Sequence, residues 1–329
     1  MAQPRHFDFD ERLKRLSDIG DQLEAYAKAV DLEIFRADLV KALIYSHGAK
    51  GGRPPFDPVL MFKVLVIQAQ NNLSDDRTEF LINDRLSFMR FLGLGLSDQV
   101  PDAKTTWAFR ERLTQAGAID GLFVRFDAAL REAGYIAMGG LLVESTLVAA
   151  PKQRNSDDEK HAIKSGKTAK EIWPDGTKPL DIAIPTFGYK AHTAICRALR
   201  FIRRFDVSDA SRHDGRFLHR GLLDTKNTGS GVWADSAYRS NQNKAFLDKQ
   251  GFVSHVHRRK PKGKPMPQHI RRGNATRSKH RAPIEHVFAY QKAVIGLTIG
   301  LARARTKIGM ANIVYNMRKP VQITKSAPA

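Results

Sequence analysis

The hydrophobic pattern of the chain changes its period at Gly139-Gly140, and this change constrains the fold more than any other feature. Before it, apolar residues recur at three- and four-residue intervals, which predicts amphipathic helices. After it come short apolar runs bounded by turn residues, beginning with LLVESTLVAA at 141–150, and these predict strands. We therefore expect an all-helical N-terminal domain over residues 1–138 and an α/β domain over residues 139–329.

The helices of the N-terminal part have recognisable beginnings and ends. The apolar spacing predicts one helix over residues 10–30. Asp57 and Pro58 are a favourable N-cap and first helical residue for the next long helix. Gly117 and Gly134 follow two later periodic segments, where a left-handed residue commonly ends a helix.

In the second part, the predicted order is three strands, helix, strand, helix, strand, helix. The second and third strands can pair as a hairpin around residues 197–199. Residues 283–297 form the last amphipathic helix of this plan. The polar segments 152–180 and 258–280 are predicted to be loops inserted into it.

The charge is distributed very unevenly. The net charge is +20, yet residues 1–140 hold 18 Lys and Arg against 20 Asp and Glu, so the whole excess lies in residues 141–329. Such a basic field favours a polyanion, most simply nucleic acid. An anionic membrane surface fits less well because the basic segments lack an apolar face, and no 18-residue apolar run predicts a membrane span. The single cysteine, Cys196, excludes a disulfide framework within the chain and fits a reducing cytoplasm.

One acidic residue stands alone in the basic C-terminal quarter. Between Lys249 and Ala329 the only carboxylate is Glu285. It can form a surface ion pair with Arg281 one turn earlier, or it can bind a metal ion beside DNA phosphates. At about 100° per residue, Arg281, Glu285 and Lys292 share one face of a helix. A carboxylate flanked by two cations is expected where a divalent ion meets a phosphodiester.

Two further carboxylates lie at strands. Asp235 ends a short apolar strand, a position that suits either ligand binding or the capping of a turn. Glu144 lies in an apolar run and is either a surface residue of an edge strand or a buried carboxylate that a metal or a cation neutralises. Convergence of Glu144, Asp235 and Glu285 would suit two Mg²⁺ ions, and two such ions catalyse phosphodiester hydrolysis or transesterification.

Several longer blocks of the chain resemble the bacterial insertion-sequence transposases of the DDE type, in the insertion-sequence-five (InsH-like) family. The blocks are GRPPFDPVLMFKVLVIQAQNNLSDDRTEFLINDRLSFMRFLGLGLSDQVPDAKTTWAFRERL, STLVAAPKQRN, FGYKAHTAI, VSDASRHDG, VWADSAYRS and the R-x3-E-x6-K signature of Arg281, Glu285 and Lys292. The resemblance implies a ribonuclease H-like catalytic domain, a mixed five-stranded sheet with flanking helices. It also implies that Asp235 and Glu285 are the second and third catalytic acids.

The same resemblance implies the partners and the cofactor. Two Mg²⁺ ions, for which Mn²⁺ can substitute, would bind the three acids. Arg281 and Lys292 would contact DNA phosphates near the scissile bond. The DNA partners would be the terminal inverted repeats of the element and the target DNA, held by a homodimer or a larger assembly at the bacterial nucleoid.

The chain departs from the family pattern at three positions. Glu144 stands where the family has its first catalytic Asp, Cys196 where an Asp is usual, and Ser278 where a Tyr sometimes occurs. The additional methylene of Glu144 displaces its carboxylate by about 1 Å, and a displacement of that size can lower a rate about a hundredfold. Three hypotheses follow: an active transposase, a catalytically impaired DNA-binding relic, and a structure-specific nuclease of the same fold.

Other basic residues are candidates for DNA contact. Segment 258–281 has ten Lys and Arg and no acid, so it is either a solvated disordered loop or a clamp on DNA phosphates that orders on binding. In the N-terminal domain, TTWAFRER can be a recognition helix, a packed core helix or a dimer contact. The named candidates are Arg110, Arg258, Arg259, Arg271 and Arg272.

Overall fold

The computed structural model describes residues 7–43, 55–135, 139–150, 188–225, 230–296 and 300–326. The loop predicted over residues 152–180 lies outside the described residues. Within them, a helical region comes first, and a sheet with flanking helices follows it.

The helical region consists of short helices. They are α1 (Phe7–Asp18), α2 (Gln22–Ala29), α3 (Arg36–Leu43), α4 (Pro58–Asn71), α5 (Asp75–Asp84), α6 (Leu86–Leu92), α7 (Ala103–Gln115) and α8 (Ile119–Glu132), with a 3₁₀ turn at Leu32–Phe35.

Local signals set most of the helix ends. The Asp57 carboxylate accepts hydrogen bonds from the N–H groups of Val59 and Leu60, so it caps α4 as predicted. Gly117 and Gly134 follow α7 and α8 with φ angles of 60° and 76°, the left-handed geometry expected of them. The single helix predicted over residues 10–30 is wrong: it divides into α1 and α2 at Gly20, whose φ is 89°.

The sheet has five strands in the order β3-β2-β1-β4-β5. These are β1 (Leu141–Ala149), β2 (Gly188–Cys196), β3 (Ile202–Asp209), β4 (Gly231–Trp233) and β5 (Val253–Ser254). The first three form antiparallel pairs, and β4 and β5 run parallel to β1, so the sheet is mixed, as expected. The predicted hairpin between β2 and β3 is present, and β1 lies at the centre.

Helices cover the sheet on the side that carries Glu144. They are α10 (Gln268–Arg281), α11 (Ile284–Val294) and α12 (Leu301–Ser326), and α9 (Asn241–Lys249) lies between β4 and β5 in sequence. On β1 and β4, Leu142 and Trp233 share one hydrophobic cluster with Val287 and Phe288 of α11. The alternate residues, including Val143 and Val232, belong to a separate cluster on the opposite face. This alternation is the two-residue period of a strand.

Two predictions for the C-terminal part are wrong. Residues 268–280 of the loop predicted over 258–280 belong to α10, which has no buried residue and therefore no apolar period by which to recognise it. The helix expected to carry Arg281 together with Glu285 is in fact two helices, α10 and α11, separated by Ala282-Pro283. Pro283 has no N–H to donate to the preceding turn, so the α-helical hydrogen-bond pattern stops there.

Helix α12 was not recognised from the sequence, although it joins the two parts of the molecule. It packs against α4 and α8 of the helical region and against β3 of the sheet. Beside it, a buried ion network connects Asp127 of α8 with Arg203 of β3 and with Asp224. The two parts therefore share one continuous core.

Candidate active site

Glu144 lies on β1, and Asp235 lies two residues past the end of the neighbouring strand β4. Strands β1 and β4 are parallel, with Leu141 beside Val232 and Leu142 beside Trp233. The β1–β4 pairing ends at Trp233, and the same register extended by two residues would put Glu144 alongside Asp235. Register partners of parallel strands point to the same face, here the face covered by α11. The β1–β4 register therefore indicates the same face of the sheet for two of the three acids that the sequence singled out.

Glu285 reaches this region from the covering helices. It lies in the first turn of α11, and α11 packs against β1. Its charge acts on the guanidinium of Arg281, which is the last residue of α10. Burial lowers the pKa of Arg281, while the charge of Glu285 acts in the opposite direction. Glu285 itself is exposed, so it lies at the open edge of the site.

Arg281 forms an ion pair with Glu144, joining Nη2 to Oε2. The two side chains keep only 17% and 14% of their accessible surface, so the pair is largely withdrawn from water. An unpaired carboxylate at that depth would be strongly destabilising, and Arg281 supplies the compensating charge. Of the two alternatives for Glu144, surface residue or neutralised carboxylate, the structure supports the second. The neutralising group here is an arginine.

Two polar atoms beside this pair have no hydrogen-bond partner among the described residues. One is Oγ1 of Thr193, which is paired in register with Glu144 on β2, and the other is Nε of Arg281; both are buried. Buried polar atoms normally have partners, and exceptions are informative. Thr193 was not singled out from the sequence, because its position opposite Glu144 follows from the β1–β2 register alone.

Asp235 also caps a turn. One carboxylate oxygen accepts a hydrogen bond from the N–H of Ala237 at 2.8 Å and so begins the 3₁₀ turn Ser236–Tyr238. The Nε of Arg259 donates to the carbonyl of Ser236 at 2.9 Å, which brings this cation over the same turn. Both readings of Asp235, cap and site residue, are therefore compatible with its position.

The three acids provide the type of ligand atom that a divalent ion needs, since carboxylate oxygens are the ligands that Mg²⁺ prefers. Among the described residues, however, no three His, Cys, Asp or Glu side chains are arranged as a metal site. Glu144 is instead paired with Arg281, whose guanidinium binds the carboxylate that a metal would need. Two histidines that follow β5, His255 and His257, belong to no such group in the described part of the chain, and burial lowers the pKa of both.

Helix α10 presents a strongly basic surface next to these acids. It contains five Lys and Arg and no acidic residue, and Arg271 and Arg272 are exposed. The side-chain amide of Asn274 binds the backbone N–H and C=O of Arg258, at 3.0 and 2.9 Å, and so attaches the helix to the chain that follows β5. The basic residues of this segment thus lie on the edge of the site that is open to solvent.

The remaining candidates lie elsewhere on the helices. Lys292 is exposed near the end of α11. Arg110, on α7, donates to both carboxylate oxygens of Asp75, at 2.6 and 2.7 Å, and to Gln68. It is therefore engaged within the helical region, and a DNA contact by Arg110 stays a prediction.

Comparison with known families agrees with this arrangement in both parts of the chain. Residues 137–317 match a family described as the transposase DDE domain. The chain belongs to the DDE transposases. Residues 11–112 of this transposase match a second family, described as a transposase domain (DUF772). No solved structure matches the chain significantly.

Membership of the DDE transposase family confirms the prediction that the mixed sheet and its flanking helices form a ribonuclease H-like domain. It also identifies the protein as an insertion-sequence transposase that acts on DNA, in a family that generally uses divalent metal ions. In the described part of the transposase, no helix is long and apolar enough to span a membrane.

Proposed function

We propose that this transposase cuts DNA at the ends of its insertion sequence and joins the resulting 3′-hydroxyls to target DNA. Glu144, Asp235 and Glu285 are the proposed metal ligands, with two Mg²⁺ ions or Mn²⁺ in their place. The ions would activate a water or a 3′-hydroxyl and stabilise the leaving oxygen at phosphorus. A homodimer or larger assembly on DNA, located at the nucleoid, completes the proposal.

The observation that carries this proposal is the register of β1 and β4. Glu144 and Asp235 are far apart in sequence, yet the parallel pairing of β1 with β4, extended by two residues, would put them side by side on the face that α11 covers. Glu285 enters from α11 beside Arg281. Acids contributed by two neighbouring strands and by a covering helix are the ligand set that this proposal requires.

The cations around the acids have a separate proposed role. Arg258, Arg259, Arg271 and Arg272 would hold the DNA backbone along α10 and the turn after Asp235, while Arg281 and Lys292 would bind phosphates near the scissile bond. Arginine is suited to this because its guanidinium donates two parallel hydrogen bonds to one phosphate. These contacts would fix the phosphodiester against the acids.

Cleavage and strand transfer on a duplex carrying the inverted repeats that flank the gene test the proposal. With Mg²⁺ or Mn²⁺ the wild type should nick and join this DNA, while Asp235→Asn and Glu285→Gln should bind it without cutting. Asp248→Asn is the matched control, because Asp248 is an exposed acid of α9 in the same domain. Full activity of both site variants would refute the assignment.

A second candidate function is that of a DNA-binding relic that holds element ends without cutting them. The observation that favours it is the Glu144–Arg281 pair, which occupies the carboxylate at the family's first acidic position. In that case the wild type binds end duplexes and is inert with either metal. Restoration of cutting by Glu144→Asp would identify the altered side chain as the cause.

A further inference from the structure

The Glu144–Arg281 ion pair has a consequence for the order in which the transposase binds its ligands. We propose that Arg281 occupies the metal-binding position of Glu144 when DNA is absent, and that duplex DNA draws Arg281 away and so opens the site to a divalent ion. This inference rests on the proposed function, because it takes Glu144 to be a metal ligand.

The first support is the chemistry of the pair. A divalent ion and a guanidinium both need the oxygens of Glu144, so the two compete for it. The carboxylate is largely buried, and loss of its counter-charge would leave a buried ion uncompensated. Glu144 is therefore expected to be paired at all times, with Arg281 or with a metal.

The second support is the way in which Arg281 is attached to the rest of the molecule. It is the last residue of α10, a helix without buried residues. Polar contacts hold this helix, notably those of Asn274 with the backbone of Arg258 and of Arg281 with Glu144. Elements with few buried apolar contacts open at low free energy, so α10 is well suited to shift.

The third support is that DNA offers Arg281 an equivalent partner. Phosphate oxygens accept the same two-pronged hydrogen bonding as a carboxylate. The exposed Arg271 and Arg272 of the same helix would attract the DNA backbone to α10. A phosphate close to Arg281 would then compensate the arginine, while the metal compensates Glu144.

Thermodynamic linkage makes the proposal quantitative. If DNA removes the competitor, it must raise metal affinity, and metal must raise DNA affinity by the same factor. We expect the contribution of Arg281 to this coupling to be about tenfold, within the usual range for coupled sites. Arg281→Gln should therefore bind Mn²⁺ about tenfold more tightly than the wild type in the absence of DNA. With DNA bound, the two affinities should be similar.

The experiment is a titration of the full chain with Mn²⁺, read from the electron paramagnetic resonance signal of the free ion. It is done with and without a duplex, and the ions bound by the duplex alone are subtracted. For the titration without DNA, Arg272→Gln is the matched control, because it removes the same charge from the exposed face of α10 and leaves Glu144 paired. Arg281→Lys should lie between wild type and Arg281→Gln. Circular dichroism checks that every variant is folded.

The outcomes separate this inference from the proposed function. Tighter DNA-free binding in Arg281→Gln than in Arg272→Gln, with reduced coupling to DNA, supports the inference. Equal affinities in both variants and the wild type would overturn it while leaving a metal-dependent transposase intact. Absence of Mn²⁺ binding in every protein, with and without DNA, would overturn both.

Discussion

Replacement of Asp127 by Ala should destabilise the molecule at the junction between its helical region and its sheet. The Asp127 carboxylate lies 2.8 Å from Arg203 and 3.3 Å from Arg204, and Arg203 keeps 2% of its side-chain surface. Asp224 is the other acid of the network, at 3.1 Å from Arg203 and 2.6 Å from Arg131. Among the described residues, three arginines would then share the buried carboxylate of Asp224.

The magnitude follows from this arrangement. Removal of one partner from a buried ion pair destabilises by about 3–5 kcal/mol, because it leaves a charge uncompensated. Unfolding entropy near 2.1 cal/mol/K per residue gives roughly 0.7 kcal/mol/K for a chain of 329 residues. The melting temperature of Asp127→Ala should therefore fall by about 4–7 °C in differential scanning calorimetry.

The matched control is Asp120→Ala. Asp120 lies on the same helix, and its side chain is 48% exposed in its pair with Arg305. Arg305 keeps a second partner in Asp206, so the loss should be below about 1 kcal/mol, or about 1.5 °C. Equal shifts in the two variants would refute the argument that burial makes the Asp127 network important.

Three further predictions concern stability and DNA binding. Burial lowers the pKa of His192 to about 4, so between pH 6.5 and 4 this histidine is protonated in the unfolded chain but not in the folded one. The free energy of unfolding, measured by urea titration, should therefore fall by roughly 3 kcal/mol over this pH range. The decrease should be smaller in His192→Gln. Gly140 has a φ of 98° with Trp233 against it, so Gly140→Ala should lower the melting temperature, whereas Gly121→Ala, in open space on α8, should raise it slightly. Replacement of exposed Arg272 by Gln should reduce the slope of log K against log salt by about 1 in DNA-binding titrations, and an unchanged slope would exclude Arg272 from the DNA interface.

Features that depend on neighbouring residues were predictable from the sequence. The cap of α4, the glycines that end α7 and α8, and the β2–β3 hairpin all follow from local signals. Helices α10 and α12 were not predictable in this way. The first buries none of its residues, and the second carries many Arg and Lys and has Pro320 inside it, so neither shows a clean apolar period.

The candidate site shows the same difference between features that local sequence predicts and features that depend on the fold. Glu144, Asp235 and Glu285 could be singled out because a carboxylate in an apolar or basic context requires a reason. Their spatial relation could not, since it depends on the parallel pairing of β1 with β4 and on the break at Pro283. Thr193 could not be identified from the sequence for the same reason, because only the β1–β2 register pairs it with Glu144.

Arg281 has one role implied by the sequence and another seen in the structure. The family signature that it forms with Glu285 implies a contact with DNA phosphate, while the structure pairs it with Glu144. The two assignments are compatible if they belong to different states, because a guanidinium binds a carboxylate and a phosphate in the same forked geometry. Arg281 can neutralise the site before DNA arrives and bind the DNA afterwards. Glu144, although it departs from the family pattern, would then act in both states, first as the partner of Arg281 and later as a metal ligand.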